Sequence, residues 1–231
     1  MTSHDPRTLG RLAALLLIAQ MWVAPVAQFR LLAPAISASP GFLANAAAHA
    51  PAVNTAVLLL FAAALCSVGF ALAVFGELAR EGRAAATAYV LLSGVGLVLT
   101  CVEGASLRAM VAVSEAYAQA GATAAATTFE PSRVLLRGVR NTLHYLQLLN
   151  SGVALLLLYP ALGTLRRIPR WLGALGMLAA ASVIAGALVP LLGHATIMAL
   201  FMPMGVSQLL LIGWLLWRGF ATPAARTEVP A

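Results

Sequence analysis

Seven polar residues recur along one stretch of an otherwise oily chain: Arg133, Arg137, Arg140, Asn141, His144, Gln147 and Ser151. On a helix turning about 100° per residue they share about a third of the circumference. Guanidinium groups followed by amides and an imidazole can bind an anionic headgroup, hold a small polar solute or relay a proton. Glu103, in a preceding apolar run, supplies a carboxylate, with Thr100 beside it on the wheel. A carboxylate next to a guanidinium stays ionised more readily than one alone in lipid.

The sequence therefore predicts a polar, outward-facing pocket in which Glu103 pairs with Arg140 or Arg137. His144 hydrogen-bonds nearby, and Asn141 and Gln147 complete the stripe. Gln28, Arg30 and His194 fall at the same level by position in their runs, and Gln208 is a further polar group at membrane depth. A second reading stands beside the first. Arginines at helix ends snorkel to headgroups, and Glu or His can be solvated there.

Other chemistry finds little support. His144, His194 and His49 could approach one another, but no paired-histidine helix or ligand cluster points to a haem. Cys66 and Cys101 sit in apolar runs without metal-ligand spacing. All fourteen basic residues are Arg, so no Schiff-base lysine exists. There is no Gly-Lys-Ser phosphate loop, Gly-x-Ser-x-Gly elbow or His-Glu-x-x-His helix. Ser151 and His144 share a face but lie roughly 10 Å apart along the axis, too far for a nucleophile and its base. Glu77, Glu81, Glu115 and Glu130 read as surface carboxylates. The expectation is a non-enzymatic protein without cofactor or metal; a small-solute or proton-coupled transporter is the alternative.

The elements that must position these residues are long and apolar. Of 231 residues, 61% are hydrophobic and 9% charged, against about 25% charged in soluble domains. A chain this short cannot hide so much apolar surface from water by folding alone, so lipid must cover much of it. Six runs approach the ~20 residues that cross a bilayer: about 9–29, 53–76, 84–110, 137–162, 171–192 and 198–217. They predict an all-α, polytopic membrane protein, one bundle of six transmembrane helices. The first run is read as a retained helix rather than a cleaved leader, since Pro25 fits a cleavage site poorly. Pro25, Pro190 and Pro203 are expected to kink the spans that hold them.

The net charge of +7 is no nucleic-acid signature, because the arginines sit at the ends of apolar runs. Arg7, Arg11, Arg80, Arg83, Arg166, Arg167, Arg170, Arg218 and Arg226 fall on one side of a six-span arrangement. Arg30, Arg108, Arg133, Arg137 and Arg140 fall on the other. Basic residues favour the cytoplasm, so both termini are expected inside, in a bacterial inner membrane. The bilayer and its anionic headgroups are the expected partners, together with a small polar or anionic ligand and a second copy of the chain. Arg166, Arg167, Arg170 and Trp171 read as an interfacial anchor.

Two stretches carry a resemblance. One runs from Leu143-His-Tyr-Leu through Leu155-Leu-Leu-Leu-Tyr159 to Ile168-Pro-Arg-Trp-Leu-Gly-Ala-Leu-Gly176; the other is Pro203-Met-Gly-Val-Ser-Gln through Trp214-Leu-Leu-Trp-Arg-Gly-Phe220. They resemble a bacterial membrane-protein family, domain of unknown function 4386, over roughly the last 80 residues. The resemblance implies about six spans and assigns no activity. Where that family tends to carry an acidic residue, this chain has Gln208.

Overall fold

A computed structural model describes residues 6–120 and 122–220, apart from the side chains of 122–126. Arg226 and the C-terminal Ala231 lie outside that range. The described chain is helical without strands, and six helices are long and apolar enough to span a membrane. Leu58, Trp22 and Leu91 are 68%, 71% and 64% exposed. Such large apolar side chains facing outward are what acyl chains would cover.

Helix α1 (Pro6–Pro25) runs on into a π-helical segment, Val26–Ser37. Pro25 has no N–H to donate and its ring crowds the carbonyl one turn back. The chain responds by widening into π turns rather than by a simple kink. A short helix α2 (Phe42–Asn45) leads to α3 (Ala50–Leu78). Buried Ser114 pins this connection: its hydroxyl donates to the Leu43 carbonyl at 2.8 Å and accepts from the Ala47 N–H at 2.8 Å.

Helices α4 (Arg83–Ala120) and α5 (Ala122–Thr164) hold 38 and 43 residues. They are about 57 and 64 Å long at ~1.5 Å per residue, against a hydrocarbon layer of about 30 Å. Both outrun the expected limits of 84–110 and 137–162. Residues 111–120 and 122–132, rich in Ala and Thr, carry the two helices past those limits. Helix α6 (Arg170–Leu191) follows, then a 3-10 turn (Met198–Phe201) and α7 (Met202–Arg218). Pro203 stands in the first turn of α7, where its missing N–H costs nothing. Pro203 thus interrupts no bond inside α7, and Pro190 lies in the last turn of α6.

The six spans close a ring in chain order. The first packs on α3, α3 on α4, α4 on α5, α5 on α6, α6 on α7, and α7 back on α1. The ring is clasped where its ends meet: the Phe220 N–H donates to the Pro6 carbonyl at 3.3 Å. Gly219 allows this. Its φ of 63° disfavours any side chain, and a Cβ would stand 2.6 Å from the Arg7 Cα.

Candidate functional site

Glu103 on α4 is 1% exposed. It is the meeting point the sequence predicts. Its Oε1 lies 3.6 Å from Arg140 Nε and 3.6 Å from His144 Nδ1, both on α5. At 3.6 Å neither contact is a hydrogen bond, and these three buried atoms have no hydrogen-bond partner. Arg140 instead sends one N–H to Gln28 on the π-helical segment, at 3.1 Å, and another to Asn141 at 3.3 Å. One turn further along, Gln147 donates to the Thr100 hydroxyl at 2.7 Å.

Not every expected residue joins this cluster. Arg137 and Arg30 are exposed, and His194 lies exposed in the link between α6 and α7. Gln208 is buried on α7, at the far wall of a cavity that the sequence did not announce.

That cavity measures about 140 Å³ and runs along the bundle axis, below the Glu103 cluster. Every span except α6 lines it. Gln20 comes from α1, Ser67 from α3, Tyr89 and Ser93 from α4, Gln147, Asn150, Ser151 and Tyr159 from α5, and Gln208 from α7. Asn150 lies about 15 Å along α5 from Arg140, near half depth between the arginines at the two ends of that span. Its amide donates to the Leu92 carbonyl at 2.9 Å. Gln20, Ser67 and Gln208 look isolated in their own apolar runs. They converge only because the ring turns one face of each helix inward.

The other end of the bundle is shut. Phe70, Tyr89, Leu158 and Leu211 are buried there, and the Tyr159 hydroxyl donates to Ser207 at 3.3 Å. Beyond them Arg167 lies 2.7 Å from Glu77, with their side chains 2% and 5% exposed. This corrects two expectations: Glu77 is no surface carboxylate, and Arg167 is no headgroup anchor. Arg166 takes a left-handed conformation with φ 55° at the end of α5, and the next residue points inward. The Trp214 indole N–H caps the Arg167 carbonyl at 3.0 Å. A spacing of ninety residues between Glu77 and Arg167 left no local trace of the pair. Among the described residues no group of three or more His, Cys, Asp or Glu could hold a metal.

The comparison with known families decides the kinship. The model of the family described as "Domain of unknown function (DUF4386)" matches residues 12–219. The chain belongs to this family. No curated protein and no solved structure matches it. Its six long apolar helices make it a multi-pass membrane protein, and the match extends the resemblance of the last 80 residues across nearly the whole bundle.

Proposed function

We propose that this DUF4386 protein is a non-enzymatic membrane protein that binds a small polar solute in the axial cavity. One observation carries the reading. The cavity brings amides and hydroxyls from five spans to one place at membrane depth, where polar groups are costly unless they serve one another, water or a ligand. The arginine distribution supports an orientation with both termini in the cytoplasm of a bacterium, in its inner membrane. The Glu103 cluster then forms the outer mouth and Glu77–Arg167 lies on the cytoplasmic side.

A specific feature favours a second reading, that of a carrier. Carriers place their sites near half depth between two ends that open in turn. Here a few polar side chains bridge the first span and α5 at one end, and a packed aromatic layer and a buried ion pair fill the other.

The test is mass spectrometry of solutes released from protein purified out of its own membrane. Wild type should yield a reproducible small polar solute that Asn150→Leu, which puts an apolar side chain of about the same shape in place of the amide, does not retain. Identical profiles from both proteins would sink the reading.

A further inference from the structure

We infer that the cavity takes an uncharged hydrogen-bonding solute, an amide or polyol of about six non-hydrogen atoms, and that Arg140 is the bar across its mouth. The inference rests on the solute-binding reading and names its substrate class and point of admission.

The class follows from what lines the walls. No lining residue carries a formal charge. An ion entering would shed its hydration and meet no counter-charge, a heavy penalty in a low-dielectric interior. Amides and hydroxyls both donate and accept, so a guest with the same dual capacity satisfies them best. Gln147 and Asn150 are held in place by the wall, through Thr100 and the Leu92 carbonyl. That fixes each amide while leaving its oxygen and second N–H for other partners. Size agrees with the class: an apolar cavity of about 150 Å³ in another protein holds benzene, and this one is about 140 Å³.

The bar follows from the ring. The first span and α5 stand on opposite sides of it and do not pack closely. Arg140 crosses from α5 to Gln28 at 3.1 Å, passing Glu103 on α4. Its hold on Glu103 is slack, at 3.6 Å without a hydrogen bond. One side-chain rotation therefore opens the mouth, whereas the opposite end would require repacking of Phe70, Tyr89 and Leu158. With Glu103 beside it, the guanidinium offers an ion of either sign little net attraction.

Thermal unfolding of the purified full chain in detergent tests the class, with acetamide, glycerol, acetate and ethylammonium as probes at equal concentration. Acetamide and glycerol should raise the midpoint of wild type more than that of Asn150→Leu, which lacks the amide, or of Ser93→Leu, which adds bulk to the wall. Acetate and ethylammonium should show no such difference. A wild-type-specific shift from the charged probes would overturn the class and leave solute binding standing. No specific shift from any probe also overturns the class, while the released-solute experiment judges binding independently. For the bar, Ser151→Cys in a Cys66→Ser, Cys101→Ser background is treated with iodoacetamide. Adding Arg140→Gln should speed alkylation about ten-fold, the equivalent of one charged hydrogen bond. An unchanged rate would remove Arg140 from the role.

Discussion

At the scale of single residues, two buried carboxylates have different tasks. Glu77 sits 2.7 Å from Arg167 with both side chains buried, so its charge is structural. Replacing it with Gln leaves the guanidinium without its carboxylate, a loss of about 3–5 kcal/mol for a buried pair. Equilibrium unfolding in mixed micelles should show that loss, and Glu77→Gln with Arg167→Gln should cost less than the sum of the two changes. Additive losses would mean that the pair is not coupled. Glu103 is held more loosely, its contacts to Arg140 and His144 both at 3.6 Å. Glu103→Gln should therefore destabilise the fold less than Glu77→Gln, by the same measurement; the reverse order would contradict the assignment. The Glu103 partners were legible because Arg140 and His144 share a face of one amphipathic helix. The Glu77 partner was not, because Arg167 lies in a turn where no periodicity applies and its inward direction depends on the conformation of Arg166.

Among the elements, α5 and α6 show how small residues set the cavity wall. Gly176 faces Tyr159 so closely that a Cβ would lie 2.1 Å from its ring. Gly152 likewise meets Ile184, at 2.7 Å. Gly176→Ala must push Tyr159 aside, an overpacking cost of about 1–3 kcal/mol. Tyr159 also lines the cavity, so the same change should reduce retention of the solute, which the released-solute assay reads. Full retention together with native stability would show the wall to be more compliant than the contact implies. The existence of each span was readable from hydropathy, since about 20 apolar residues leave few alternatives in lipid. The ends were not: α4 and α5 continue through Ala- and Thr-rich sequence, and the π segment after Pro25 depends on how the chain absorbs a missing donor.

For the whole molecule, the ring order and the clasp between Pro6 and Phe220 put the two described ends of the chain at one end of the bundle. With the arginine bias, that end is expected in the cytoplasm. A reporter fused after Ala231 should be active only in its cytoplasmic form; periplasmic activity would invert the bundle and make Glu103 an inner residue. The axial cavity is the feature least legible in sequence. Gln20, Ser67, Asn150 and Gln208 belong to four different spans, and only the closed ring makes them neighbours.

The central claim is that the polar face of α5 borders a wet interior while its other face meets acyl chains. In the cysteine-free background, Ser151→Cys lies in the cavity wall and Val153→Cys replaces a side chain 39% exposed on the outside of the bundle. A thiol reacts as thiolate, which needs water. In lipid vesicles, a small water-soluble thiol reagent should modify position 151 and leave position 153 unmodified. Modification at 153 with none at 151 would contradict the account.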